Sequence, residues 1–258
     1  MKIAVCLSGH YRTFDHNFTY WNDNVFSKYD CDVFLHTWDV MGNRGNGNDT
    51  EVEENLEKLT QTSEELKSQY GFVDAVIQEY NEPLPEFLEK SKRVRQLRDN
   101  IVDERYEEML KKRRITHLYS MWYKAFKCFE LTEKTNTKYD LVIKSRPDIA
   151  ILDTFTLDEV DPTYINWPYY SQGWFQEPHD YFAIGNYENM KVYNNLYNRM
   201  EDMEAILEID KRVYRAGDGY GIPGIERFLN PHALLYLYIE EMKIPNKIIT
   251  NYCSITRG

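Results

Sequence analysis

This sequence has less positive than negative charge, and it has no long apolar run. Its 31 Lys and Arg residues are outnumbered by 42 Asp and Glu residues, which gives a net charge of −11 at pH 7. This balance argues against a protein that coats nucleic acid, so we expect no nucleic-acid partner. No apolar stretch approaches the ~20 residues of a membrane-spanning helix. A secretory signal is not expected either, because the apolar run after Lys2 stops at Ser8 and Gly9.

Cysteine is scarce as well. None of the cysteines forms a CxxC pair, which argues against a zinc knuckle. Scattered cysteines of this kind fit reduced thiols in a cytosol-like compartment, so we expect a cytoplasmic protein. The four cysteines are Cys6, Cys31, Cys128 and Cys253.

The apolar residues, in contrast, follow a clear order of strands and helices. Residues 2–7 and 32–37 are apolar runs of strand length, and the residues between them repeat at helical spacing, which predicts a β-α-β unit. Residues 141–143 indicate a strand that is buried on both faces, as in a parallel sheet covered by helices. We therefore predict one α/β domain over residues 1–258. Its mostly parallel, Rossmann-like central sheet is flanked by helices, with a helical insertion and a helical C-terminal part.

The turn after the first strand, residues 8–13, matches neither common glycine-rich phosphate loop. Both GxxxxGK[ST] and GxGxxG spacings are missing from it. Gly9 still allows a phosphate to approach the backbone before a helix, and Arg12 adds a bidentate donor. The alternative interpretation is a plain strand-to-helix turn with a solvent-facing Arg12.

The segment 139–149, YDLVIKSRPDI, is the most informative in the chain. Ligands of open α/β sheets bind beyond the carboxyl ends of the strands, where Arg146 and Asp148 would lie. A guanidinium suits a phosphate, and a carboxylate suits Mg²⁺, which often binds through one carboxylate, phosphates and water. Lys144, Arg146 and Asp148 share one face if the strand stays extended through Pro147. Lys144 and Arg146 are an alternative way to neutralise a diphosphate without metal.

The second strand also ends in candidate binding residues. Trp38 is predicted to stack on a base, and Asp39 to bind a ribose hydroxyl or a metal. His36 is interpreted as a satisfied, partly buried histidine. The sequence Asp30-Cys31-Asp32 has the spacing of a metal motif, but it opens a strand, so we place it at the opposite end of the sheet.

Residues 163–182 are dense in aromatic side chains, which suit the apolar faces of a sugar; the alternative is an aromatic cluster that covers the sheet. Asp180 or Glu177 would be the base that activates an acceptor hydroxyl. Asp218, within the glycine-rich run 216–221, is a further candidate base.

Four segments resemble a family of GT-A-fold glycosyltransferases found in large DNA viruses and in bacterial surface-polysaccharide gene sets. The matching segments are residues 2–14, 32–39, 139–149 and, more weakly, 180–185. The resemblance implies that Ser8 and Gly9 border the donor nucleotide. It also implies that Arg146-Pro147-Asp148 stands where such enzymes carry Asp-x-Asp, which leaves Asp148 as the remaining ligand for Mn²⁺ or Mg²⁺. A viral member would work in the host cytoplasm.

The leading hypothesis is a GT-A-like glycosyltransferase that moves a sugar from a nucleotide-diphosphate donor to a carbohydrate or glycolipid hydroxyl. Residues 1–150 would form the nucleotide-binding half and residues 151–258 the acceptor-side half. Two alternatives remain: a carbohydrate-binding protein without catalysis, and a sugar nucleotidyltransferase. The sequence leaves open the donor base, the sugar and whether the reaction inverts the anomeric centre.

Overall fold

A computed structural model of the chain describes residues 1–42, 57–80, 86, 114–168, 180–209, 231–250 and 253–255. The strands are β1 (Lys2–Gly9), β2 (Asp30–Trp38), β3 (Asp74–Gln78), β4 (Leu141–Ser145), β5 (Ile149–Ile151), β6 (Ile165–Pro168), β7 (Phe182–Gly185), β8 (Asn246–Ile249) and β9 (Cys253–Ile255). Seven of them form the central sheet in the order β3-β2-β1-β4-β7-β6-β8, and β7 alone runs against the others. β5 and β9 pair separately and antiparallel.

Helices cover both faces of this sheet. They are α1 (Phe14–Trp21), which a π-helical segment (Asn22–Phe26) continues, then α2 (Ser63–Tyr70), α3 (Arg114–Glu133), α4 (Tyr187–Asn194), α5 (Leu196–Ile209) and α6 (Pro231–Glu241). Among these described helices, none has the length and apolar character needed to cross a bilayer.

The core has two layers because successive side chains of a strand point to opposite faces of the sheet. Ala4, Cys6 and Val142 belong to the layer that includes α3 and α4 to α6. Ile3, Val5, Leu7, Leu141 and Ile143 belong to the layer that includes α1 and β5. The prediction that residues 141–143 are buried on both faces is therefore confirmed.

The predicted α/β class with a mostly parallel central sheet is confirmed, and the fold is compatible with a Rossmann-like arrangement. The C-terminal part is not helical alone, because it also supplies β8 and β9. The predicted helical insertion, residues 86–114, lies almost wholly outside the described residues. Strands from both predicted halves enter the one sheet, and the division into a nucleotide-binding and an acceptor-side half stays a prediction.

The chain changes direction across the sheet at β1. From β1 it moves to β2 and β3 on one side, and it then returns to place β4 on the other side. Leu7 pairs with Leu35 of β2 and with Ser145 of β4, so all three strands end at the same side of the molecule. Such a switch point, at the carboxyl ends of parallel strands, is where open α/β sheets bind their ligands.

Candidate functional site

The turn after β1 has an unusual backbone. Ser8 is buried, and Gly9 has φ +119°, a conformation that only glycine adopts readily. Arg12 has φ +46°, in the left-handed region that costs a non-glycine residue about 1–2 kcal/mol. Its backbone N–H donates to the Met41 carbonyl at 3.1 Å. The turn directs the Arg12 side chain towards the end of β4, where Nη1 donates to Oδ2 of Asp148 at 2.7 Å.

Asp148 holds two guanidinium groups at the switch point. Arg146 Nε donates to Oδ1 at 2.8 Å, and both Arg146 Nη2 and Arg12 Nη1 donate to Oδ2. The carboxylate is only 3% exposed. Burial alone would raise the pKa of Asp148, but Arg146 and then Arg12 outweigh it and lower this pKa to about 2. Asp148 is therefore ionised at neutral pH, and protein donors already occupy both of its oxygens.

The turn that carries these residues is fixed from the α1 side. Asn17 is buried, and its side-chain amide donates to the carbonyl oxygen of Pro147 at 3.0 Å. The backbone N–H of Ile149 donates to the carbonyl of Arg146 at 3.2 Å. The chain therefore turns between β4 and β5 and does not extend through Pro147, so the predicted common face of Lys144, Arg146 and Asp148 is wrong. The turn brings Arg146 and Asp148 into contact, and Lys144 interacts with both through its charge.

Lys144, near the end of β4, is a buried ammonium group without a hydrogen-bond acceptor in the described part of the chain. It is 1% exposed, and its Nζ lies 5.7 Å from the ring centroid of Trp122. Burial lowers the pKa of Lys144 to about 8; Asp180 and Asp148 favour the charged form, whereas Arg146 opposes it. The ammonium thus has carboxylates near it and no oxygen that accepts its protons.

Asp180, the candidate base, belongs to the same electrostatic environment. It lies directly before Tyr181 and β7, and it is 6% exposed. Its charge raises the pKa values of Lys144 and Arg146. The other two candidate bases, Glu177 and Asp218, lie outside the described residues, as does most of the aromatic segment.

A second buried lysine, Lys124 of α3, shows how this protein satisfies such a group. Its Nζ donates to His36 Nδ1 at 3.0 Å, to the Thr37 carbonyl at 2.9 Å and to Gln78 Oε1 at 3.0 Å. It also lies 3.4 Å from the ring centroid of Trp38. Burial and then Lys124 keep the pKa of His36 well below 6.5, so the histidine is neutral and accepts. The sequence analysis missed Lys124, and the signal was a lysine beside the apolar positions of this helix.

Trp38 and Asp39, the remaining two residues predicted to bind the nucleotide sugar, lie at the same end of the sheet. Their side chains contact other residues of the protein instead. Trp38 is 1% exposed and stacks on Tyr123 with ring centroids 6.3 Å apart. Its ring is part of the core around Lys124, so it offers no exposed face to a base. Asp39 accepts from the Tyr80 backbone N–H at 2.9 Å and forms an ion pair with Lys58. It fastens the segments after β2 and β3 to each other.

The residues around Asp148 fit an anion better than Mn²⁺ or Mg²⁺. Hard divalent cations need free oxygen ligands, whereas the oxygens of Asp148 already accept from two arginines. No group of three or more His, Cys, Asp and Glu residues gathers within the described ranges. The atoms without partners at this site are donors, namely Lys144 Nζ and Arg12 Nε. The assignment of Asp148 to a metal stays a prediction that the donor set does not favour.

Comparison with known proteins adds no assignment. A scan against models of protein families finds no match for this chain, and a search of curated proteins finds no similar sequence. The resemblance to glycosyltransferases therefore stays a prediction that rests on the four segments. The structure brings Arg12, Arg146 and Asp148 into contact after the turn at Ser8 and Gly9, and Lys144 and Asp180 interact with this group through their charges.

Proposed function

We propose that the chain is a GT-A-like glycosyltransferase that binds a nucleotide-diphosphate sugar at the carboxyl ends of β1 and β4. The acceptor would be a carbohydrate or glycolipid hydroxyl. The observation that supports this most is that Arg12 and Arg146 share the Asp148 carboxylate at the switch point of the sheet, with the charges of Lys144 and Asp148 acting on each other. An anionic ligand is what such a cluster suits, in a protein whose overall charge is negative.

The chemistry of sugar transfer fits this cluster. When the bond between the sugar and the diphosphate breaks, negative charge develops on the leaving phosphate oxygen. Preorganised donors aimed at that oxygen stabilise the transition state more than the ground state. Arg12 and Arg146 supply planar, bidentate donors, and Asp148 holds both of them in place. Lys144 adds a charge from the buried side of the site.

Asp180 is the base we propose for the acceptor hydroxyl. Its charge favours the protonated forms of Lys144 and Arg146, although burial still leaves the pKa of Lys144 below its usual value. An inverting transfer requires a base on the acceptor side of the sugar, because the hydroxyl attacks the anomeric carbon from the face opposite the departing diphosphate. The backbone after Asp180 enters β7, a central strand that pairs with β4.

Release of nucleotide tests the proposal. The purified chain would be incubated with UDP-, GDP-, CDP- and dTDP-sugars, first alone and then with mixed oligosaccharide acceptors. We expect release of one nucleoside diphosphate above background, and less than a tenth of that release from Arg146→Ala. Binding of a sugar nucleotide without release would favour the binding-protein alternative. Formation of pyrophosphate from a sugar phosphate and a nucleoside triphosphate would favour the nucleotidyltransferase instead.

A further inference from the structure

Three buried hydrogen-bond donors that find no acceptor among the described residues lie on or next to the proposed nucleotide site. They are Lys144 Nζ, Arg12 Nε and Trp122 Nε1, and the Lys144 Nζ lies 5.7 Å from the Trp122 ring centroid. Buried polar groups in proteins almost always have partners, so unsatisfied ones need an explanation. A metal site would instead leave oxygens without partners. A ligand rich in oxygen atoms would satisfy these donors.

Lys124 shows that burial of a lysine does not by itself leave it without acceptors. The Lys124 side chain is fully buried, as Lys144 is nearly, yet it has three acceptors and the Trp38 ring around it. Both lysines lie on the α3 side of the sheet, and both are near a tryptophan. The difference is that protein oxygens and nitrogen complete the surroundings of Lys124, whereas the acceptors for Lys144 are missing from the described residues.

Arg12 and Arg146 also have N–H donors that Asp148 does not use. Each guanidinium carries five N–H donors. Asp148 accepts one from Arg12 and two from Arg146, so most of these donors are left over. Both side chains are partly exposed, which keeps them accessible to a ligand. The Asp148 carboxylate orients both guanidinium groups, and both of its oxygens accept hydrogen bonds from them.

We infer that Arg12, Arg146 and Lys144 together neutralise the diphosphate of the donor in place of a divalent cation, with a phosphate oxygen as the missing acceptor of Lys144. This inference rests on the proposed function. Asp148 then acts as a positioning residue that holds the arginines and coordinates no metal. Charge-assisted hydrogen bonds are roughly twice as strong as neutral ones, so three cations on one diphosphate would supply the neutralisation that a metal otherwise provides.

Calorimetric titration with UDP, GDP, CDP and dTDP tests the inference, in EDTA and again with Mn²⁺. At least one of the four is expected to bind in EDTA, with a Kd within about threefold of its value in Mn²⁺. Lys144→Met should weaken this binding by about tenfold or more, as loss of a charge-assisted contact does. The control is Lys2→Met, which removes a lysine bound to Asp30 and Asp32 at the other end of the strands and should leave the Kd unchanged.

The outcomes separate the inference from the function. Binding that requires Mn²⁺ would overturn the inference and leave the glycosyltransferase proposal intact. Binding of none of the four nucleotides in either condition would overturn the proposed function and the inference with it. Equal affinity of the wild type and Lys144→Met would also overturn the assigned role of Lys144. Lys144→Met removes an unsatisfied buried charge, so it should fold, and its thermal unfolding should occur at or above the wild-type Tm.

Discussion

The two ends of the parallel strands carry charged clusters of opposite composition. At the amino end, Lys2 Nζ lies between two carboxylates, 2.8 Å from Asp30 and 2.7 Å from Asp32. At the carboxyl end, the carboxylate of Asp148 lies between Arg12 and Arg146, and the charges of Lys144 and Asp180 act on the same group. The first cluster has surplus negative charge, like the protein as a whole, and the second has surplus hydrogen-bond donors.

The two charged clusters also differ in how far their carboxylates are exposed to solvent. Asp30 at the amino end is largely in water, where an ion pair contributes little because solvent screens it. Asp148 is almost completely buried, so its charge must be matched within the protein. The buried ammonium of Lys144, next to two partly exposed arginines, is costly unless a ligand supplies its acceptors. This difference is why we propose the carboxyl end, and not the amino end, as the functional site.

The largest effect should come from Asp180→Ala. Loss of the acceptor base is expected to reduce transfer by about 10²–10⁴-fold, while nucleoside diphosphate affinity changes little. Initial rates and calorimetric Kd values, both at pH 6, are the measurements, because Lys144 stays protonated at that pH. Unimpaired transfer would move the base to Glu177 or Asp218. A parallel loss of nucleotide affinity would instead indicate that Asp180 acts by holding Lys144 in its charged form.

Replacement of Arg12 should have the next largest effect. Arg12→Ala removes one of the two guanidinium groups that Asp148 holds. We expect the affinity for the nucleotide to fall by about ten- to a hundredfold, as loss of a charge-assisted pair does. The same change also removes one of the two partners of the buried Asp148 carboxylate, so the Tm should fall, although Arg146 still pairs with Asp148. Arg12→Lys should restore charge without bidentate geometry and recover part of the affinity. Full affinity of Arg12→Ala would remove this residue from the donor site.

A stability comparison between the two ends should give a smaller effect. Asp148→Asn leaves two guanidiniums without a counter-charge, and we expect it to lower the free energy of unfolding by about 2–3 kcal/mol, moderated by their partial exposure. Asp30→Asn should change it by less than about 0.5 kcal/mol. Urea denaturation of both variants measures this. Equal losses would mean that the two clusters contribute alike and would weaken the contrast.

The strands of the site could be predicted from the sequence, since they are continuous apolar runs. Residues 2–7, 32–37 and 141–143 each lie within an observed strand, and the prediction that Asp30-Cys31-Asp32 opens β2 is confirmed. The strands β5 and β9 could not be predicted, because three residues are too few to show a period. Their pairing joins segments that are about a hundred residues apart in the chain.

The side chains of the site were less predictable than its backbone. A shared location for Arg12 and Asp148 follows from strand topology, and the two are in contact. Trp38 was predicted to stack on a nucleotide base, but α3 covers its ring with Lys124 and Tyr123. Contacts between α3 and β2 join residues more than eighty positions apart. Local patterns carry no information on which long-range partner a side chain takes.

The pH dependence of binding should show the smallest effect. Burial lowers the pKa of Lys144 from 10.5 to about 8, so the ammonium form, which a phosphate favours, is lost as the pH rises through about 8. Nucleotide affinity is expected to be constant from pH 6 to 7.5 and to fall up to about tenfold per further pH unit. Lys144→Met should lack this fall. The folded protein should also gain stability between pH 8 and 10.5, because the unfolded chain binds the extra proton there.

The most direct test of the account is a crystal structure of the chain with its nucleoside diphosphate, grown in EDTA. We expect the phosphate oxygens of the bound nucleotide to lie beside the turn at Ser8 and Gly9. They should be within hydrogen-bond distance, about 3 Å, of Arg12, Arg146 and Lys144. The Arg12 and Arg146 contacts to Asp148 should persist in that complex. A diphosphate bound at any other place on the sheet, or a carboxylate of Asp148 released from both arginines, would contradict it.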